Sequence, residues 1–316
     1  MGSCSRQWIT EDFTLTRMPK TALAVLAGIV LVAAGACSSG GSGATGRPGS
    51  SVAGPAANQN DPNSIISSVI SGAPDAKSFH IKIAVSGTIK KEALQAAAAG
   101  AGGAGGLPIT SDVKLDGTSI EGDVDVANEA VHLALNVPGL PMLGGTPITG
   151  DLIVANKSLY YKVSLLGAKY TKADLGSLTS SLPVSIPSSL PSPGASALVG
   201  VTDQIAQLRK QMQDAGVVAT LVGVESIGGE DANHINFAVP LDKLNAQIAA
   251  QASAGPSMKI DSASVDMWVY KASNRLAQVQ VKGASSTLGD IGILITVTGY
   301  DKPVSVAAPA AGDIAP

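Results

Sequence analysis

Apolar and polar residues alternate from Phe79 onward. Phe79, Ile81, Ile83 and Val85 interleave with His80, Lys82, Ala84 and Ser86, the period of a strand with one buried face. The same period returns in Val131, Leu133 and Leu135, in Ile148, Leu152 and Val154, and in the short run Leu159–Val163. It recurs in Ile235, Phe237 and Val239, in Val265, Met267 and Val269, in Ala277, Val279 and Val281, and in Ile291, Ile293, Ile295 and Val297. Asn156-Lys157 and Ser273-Asn274 stand where hairpin turns belong. The pattern predicts about eight to ten antiparallel strands joined mostly as hairpins.

Three segments change to a helical period. Asp61 as N-cap and Pro62 at the first helical position open a helix whose stripe is Ile65, Ile66, Val69 and Ile70. Leu198, Val201, Ile205, Leu208 and Met212 follow a 3-4-3-4 spacing that ends before Gly216. Leu241, Leu244 and Ile248 mark a shorter helix. Helices laid against an antiparallel sheet make an α+β layer design. The Ala/Gly stretch 95–106 reads as a loop within the first hairpin, and the Ser/Pro-rich stretch 176–196 as an irregular crossover.

A different apolar segment, Ala22–Ala36, has no amphipathic period. Arg17 and Lys20 precede it, Gly35 and Ala36 end it, and Cys37 follows. A basic start, a short apolar core and small residues before a cut form an export signal. With a cysteine at the cut, the pattern is that of a bacterial lipoprotein signal, in which Cys37 receives a diacylglycerol and becomes the mature N-terminus. Ala34 stands where the commonest version has Leu, and an ordinary secretory signal is the alternative. Glu11 and Asp12 are out of place in a basic leader, which makes Met18 the better start. The division expected is a signal over 1–36, a lipidated N-terminus with a Gly/Ser-rich tether over 37–60, and one folded domain over 61–316.

Removing Arg6, Arg17, Lys20, Glu11 and Asp12 from the totals of 21 basic and 24 acidic residues leaves 18 and 22, a net charge of −4 for residues 37–316. That excludes nucleic acid as a partner, because phosphate binding needs a basic surface. Once Cys37 is acylated and Cys4 is removed, no disulfide is available. Aromatic residues make up 3% of the chain, too few for a site built on stacking. No nucleophile elbow, zinc-protease motif or Cys-x-x-Cys pair is present, so no enzyme and no cofactor are expected. His80, His132 and His234 fall on the polar phase of their strands. They read as outer-face residues, or as metal ligands if their strands were neighbours. The abundant aliphatic surface fits either a tight core or an apolar cavity for acyl chains, and composition does not separate the two.

Several short segments recur in a distinctive order. They are Leu159-Tyr160-Tyr161-Lys162, Ala173-Asp174-Leu175-Gly176, Val224–Gly229, Val265–Val269, Leu276–Val279 and the tail Gly299-Tyr300-Asp301-Lys302-Pro303-Val304 with Pro309. In this order, and behind Cys37, they resemble the mycobacterial and actinobacterial lipoproteins LppX, LprA, LprF and LprG over residues 62–316. The resemblance implies a strongly curved antiparallel sheet, a half-barrel, with helices across its concave face enclosing a hydrophobic cavity. It implies a monomeric carrier of acylated lipid or glycolipid that sits at a membrane through its diacylglycerol and works with a membrane lipid exporter. The cavity candidates are Ile81, Ile83, Val85, Leu133, Leu135, Leu152, Val154, Ile235 and Phe237 on strands, with Val201, Ile205 and Leu208 on the covering helix. The stretch 95–106 and Lys169-Tyr170, where a Trp is expected before the Asp-x-Gly, depart from the family pattern.

Overall fold

A computed structural model describes residues 58–72, 76–100, 109–139, 145–174, 214–251 and 259–315. The chain order is α1 (Pro62–Gly72), β1 (Ser78–Ile89), α2 (Lys91–Gly100), β2 (Val113–Lys114), β3 (Thr118–Asp125), β4 (Ala130–Val137), β5 (Ile148–Ala155), β6 (Ser158–Val163) and β7 (Thr171–Asp174). Then follow β8 (Val218–Ile227), β9 (Glu230–Ala238), α3 (Leu241–Gln251), β10 (Ser262–Tyr270), β11 (Leu276–Ser285) and β12 (Gly289–Thr298). All the strands belong to one 12-stranded sheet of order β7-β6-β5-β4-β3-β1-β12-β11-β10-β9-β8, with β2 paired off this path to β1. The sheet is antiparallel throughout and stays open, with β7 and β8 as its two edges. Strand twist curls a sheet this wide, and the helices are few.

Two meanders build the sheet, one over β3–β7 and one over β8–β12. They meet where β1 pairs with β12, His80 to Thr298 through Ile89 to Gly289. This join is the most non-local pairing in the molecule, and it carries the centre of the core. Phe79, Val124, Val279, Ile295 and Val297 pack together there, with Ala76 beside them. A second cluster forms where α1 lies on the sheet, with Ile65 and Val69 against Ile235, Phe237 and Val269. The start of α1 follows its sequence signal: the Asn63 amide donates to Asp61 Oδ1 at 3.1 Å, and the Ile65 amide to the Asp61 carbonyl at 3.1 Å. The turn before it belongs to the domain, since Gln59 Nε2 donates to the Lys271 carbonyl at 3.2 Å.

The strand count exceeds the expected range. One extra strand is β8, whose alternation is interrupted by a bulge between Leu221 and Gly223. Two short strands, β2 and β7, carry too few residues for a period to show. The stretch 95–106, read as a loop, is helical as far as Gly100. Its alanines are strong helix formers, and Asp112 Oδ1 accepts the Lys91 amide at 2.9 Å at its start. The expected helix over 198–212 lies outside the described residues.

The end of the chain forms a strap. After β12 the Asp301 amide donates to the Ser78 carbonyl at 2.9 Å, and Ser78 Oγ donates to the Lys302 carbonyl at 2.6 Å. The strap then crosses to β5 and β6, where Val306, Ala308 and Ile314 cover Ile153, Ala155 and Tyr160. Tyr170 and Ile314 form a parallel bridge that closes it.

Candidate functional site

Cross-strand register decides which side chains share a face. One row runs Leu221, Ile235, Met267, Val279, Ile295, Ile83, Ile120 and Leu135 across eight consecutive strands. A parallel row runs Ala219, Phe237, Val265, Val281, Ile293 and Val85. On the β4–β6 side, Leu133 faces Leu152 and Leu152 faces Tyr161, while Val154 lies between Val131 and Leu159. Ile81 pairs with Gly122, and Gly122 with Leu133. All nine strand candidates thus lie on one continuous apolar face. Val201, Ile205, Leu208 and Cys37 lie outside the described residues.

Burial along this face is uneven. Toward α1 the side chains are enclosed: Ile235 and Val269 are 0% exposed and Ile295 is 1% exposed. Ile235 and Phe237 are therefore packed core in this structure. Across the sheet, on β1, β4 and β5, Ile81, Ile83, Val85, Leu133, Leu135 and Val154 are half-buried. Leu152 and Ile291 reach 36% and 42% exposure. Among the described residues the face is closed at one end and uncovered at the other. Two polar atoms on it, Thr118 Oγ1 and Asn233 Nδ2, are buried without a hydrogen-bond partner, an arrangement that costs roughly 1–3 kcal/mol per group.

Glycine shapes the middle of the face. A Cβ at Gly122 would overlap the His132 carbonyl, so β3 and β4 approach there as only glycine allows. The apolar row consequently has a gap between Ile81 and Leu133.

The opposite face is polar and internally paired. His80 Nδ1 lies 2.9 Å from Asp123, and Lys82 Nζ lies 2.8 Å from Glu121. His132 sits 3.5 Å from Asp151, which Lys162 also holds at 3.0 Å. Burial alone would raise the Asp151 carboxyl, but the hydrogen bond and charge of Lys162, with help from His132, keep it below its ordinary value. His234 bridges two acids, with Nδ1 at 2.8 Å from Glu225 and Nε2 at 2.9 Å from Asp266. Its ring stacks on Trp268 with centroids 4.4 Å apart. Trp268 Nε1–H donates to Glu225 at 2.9 Å. That bond, followed by His234, holds the Glu225 carboxyl low. The three histidines stay on the polar phase and keep separate partners, and no cluster suited to a metal ion occurs among the described residues.

Sequence reading overlooked several residues of the apolar face. Ile120 and Val124 alternate with Glu121, Asp123 and Asp125, a signal present but short. Ile291 and Ile293 were read as strand without being assigned to the face. Ala277 was grouped with Val279 and Val281, yet a bulge pairs Leu276 with Val269 instead. Ala277 packs with Trp268 and Tyr270 on the other side.

No family model and no curated protein sequence matches the chain. Solved structures do. LppX from Mycobacterium tuberculosis is 14% identical with a TM-score of 0.38, over 77% of this chain and 96% of that one. LprF from Mycobacterium bovis is 15% identical with a TM-score of 0.37, over 78% and 96%. A LolA-superfamily protein from Nitrosomonas europaea is 9% identical with a TM-score of 0.24, over 77% and 94%. At these scores the backbones do not superpose closely, and the functional reading rests on the chain's own geometry.

Proposed function

We propose that this chain is a lipid-binding lipoprotein that carries a multi-acylated lipid or glycolipid across the cell envelope and performs no chemistry on it. The observation that supports this reading is the end of the apolar face that no described residue covers. Half-buried aliphatic side chains on β1, β3, β4, β5 and β12 offer long contact to acyl chains and almost no hydrogen bonding, which suits such ligands. Each CH₂ removed from water contributes about 0.8 kcal/mol, so affinity grows with acyl length while the polar head stays outside. In this reading Cys37 carries a diacylglycerol, the following residues are the tether, and residues 61–316 are the carrier, acting as a monomer beside a lipid exporter. No described helix is long and apolar enough to cross a membrane, and the anchor in this reading is covalent.

The test is native mass spectrometry of purified, unacylated protein, with organic extraction of co-purified ligand. The expected result is a bound acyl lipid that Ile83→Trp and Leu133→Trp each displace while far-UV circular dichroism is unchanged. A ligand-free protein that also takes up no added acyl probe would refute the proposal.

A further inference from the structure

The turn between β6 and β7 carries Leu166, the most exposed large apolar side chain among the described residues, next to the exposed Leu165. Leu165 is 57% and Leu166 is 78% exposed. Single exposed leucines are ordinary, but these are adjacent and held at the tip of a fixed turn. The Leu166 amide donates to the Val163 carbonyl at 2.8 Å, and the Gly167 amide to the same oxygen at 3.2 Å. On one flank the Ser164 amide donates to the Thr149 carbonyl at 2.8 Å, and Ser164 Oγ accepts the Thr149 amide at 3.0 Å. On the other, the Tyr170 amide donates to the Asp313 carbonyl at 2.8 Å. The turn is braced on both sides while its two leucines point away from the protein.

The tip segment itself is basic, with acids at its borders: Asp151, paired with Lys162, and Asp174 at the end of β7. From Ser158 to Ala173 the chain contains Lys162, Lys169 and Lys172 and no acid. Lys162 is held by Asp151 at 3.0 Å and Lys172 lies over the Tyr160 ring at 5.8 Å, whereas Lys169 stands exposed in the turn. Two leucines with Lys169 beside them are too small an apolar area for a stable protein interface, which buries about 1,200 Å² or more in total. They fit an anionic bilayer surface, where apolar tips enter the acyl boundary and lysine stems reach head-group level. The tip also lies at a telling place. Val163, which precedes it, pairs with Gly150, and Gly150 with Leu135, so it stands at the uncovered end of the apolar face. The chain enters the domain at the opposite end of the strands, where Gln59 meets Lys271.

We infer that Leu165 and Leu166, with Lys169, form a membrane-docking tip that inserts into an anionic lipid surface and turns the uncovered end of the apolar face toward it. This contact does not depend on acylation of Cys37, nor on the carrier reading.

All the strands lie within residues 58–315, so the chain starting at Ser38 retains the whole described fold and lacks the apolar leader. Its sedimentation with vesicles of phosphatidylcholine plus phosphatidylglycerol, and with phosphatidylcholine alone, is the test. Uptake of a soluble fluorescent fatty acid, measured without vesicles, runs alongside. The wild type should sediment with the anionic vesicles. Leu165→Ser with Leu166→Ser should weaken that on the order of 10-fold, and Lys169→Glu about five-fold at low salt, both with fatty-acid uptake unchanged. Ile83→Trp should do the reverse, blocking uptake and leaving sedimentation intact. Failure of uptake alone would count against the carrier reading and leave the tip standing. The inference is overturned if the wild type ignores anionic vesicles, if the double leucine variant sediments as well as wild type, or if only Ile83→Trp abolishes sedimentation.

Discussion

Whether the apolar face is a binding surface or ordinary core is decided by treating its two ends differently. Leu152 on β5 and Ile291 on β12 are exposed members of this face, 36% and 42% exposed. Full burial of such a side chain is worth about 1.5–3 kcal/mol. A ligand covering only the exposed fractions therefore gains roughly 0.5–1 kcal/mol from each, or about 1–2 kcal/mol together. Leu152→Ser with Ile291→Ser should weaken acyl binding by about 10-fold, since 1.4 kcal/mol is one decade. Ile295 lies on the same face but is 1% exposed, so no ligand reaches it without unpacking the core. Ile295→Ala should cost about 2–5 kcal/mol of stability and change affinity less than two-fold once the protein is folded. The assays are titration with a fluorescent fatty acid and guanidinium unfolding followed by Trp268, the only tryptophan after Trp8. If the double variant binds as tightly as wild type, or if Ile295→Ala loses affinity as much as it does, the division of the face into core and site is wrong.

Other perturbations probe the frame around the face. Gly122→Ala forces a Cβ into the His132 carbonyl and should cost about 1–3 kcal/mol, seen as a lower guanidinium midpoint with an unchanged slope. Truncation after Lys302 uncovers Ile153, Ala155 and Tyr160 by removing Val306, Ala308 and Ile314. It should destabilise the chain by roughly 3 kcal/mol and raise dye binding to exposed apolar surface; an unchanged melting temperature would mean the strap does not hold. The Glu225 carboxyl is held low by Trp268 and then His234. The Asp301 carboxyl is raised by burial but brought lower overall by the Lys77 amide and Arg275. Asp151 is depressed as well. A depressed folded-state value means that the acid binds its proton more readily in the unfolded chain. The stability these groups contribute is present above the ordinary carboxylate value of about 4 and lost as pH falls through their lower folded values. Glu225→Gln should flatten the acid limb of a stability–pH profile, and an unaltered limb would remove Glu225 from that account.

Much of the architecture is local and was legible in the chain. Alternation at Phe79–Val85 and Ile291–Val297 assigns each side chain to a face, because successive residues of a strand point to opposite sides. The turn at Asn156-Lys157 is legible for a related reason: φ values of 53° and 59° at these positions suit a two-residue hairpin turn that Asn favours. Legibility failed where one residue breaks the period. Bulges near Val222, midway along β8, and at Ala277, at the start of β11, shift the phase, so Ala277 ends on the face opposite to the one alternation predicts. It failed again at Gln95–Gly100, where the low-complexity composition masked a run of helix formers. Ile153, on the polar phase, is buried because the strap lies above it.

The sequence by itself determined the two faces of the sheet, the hairpin partners within each meander, the polar setting of the three histidines and the cysteine behind the apolar leader. These follow from periods of two residues, turn chemistry and short motifs, all readable within about ten residues of chain. Only the tertiary structure decided that β1 joins β12, that the tail crosses to β5 and β6, and that α1 closes one end of the apolar face while the other stays uncovered. Periodicity reports which way a side chain points; it carries no information about what distant segment comes to cover it. For this protein that covering separates Ile295, which is core, from Leu152, which faces solvent on the same side of the same sheet.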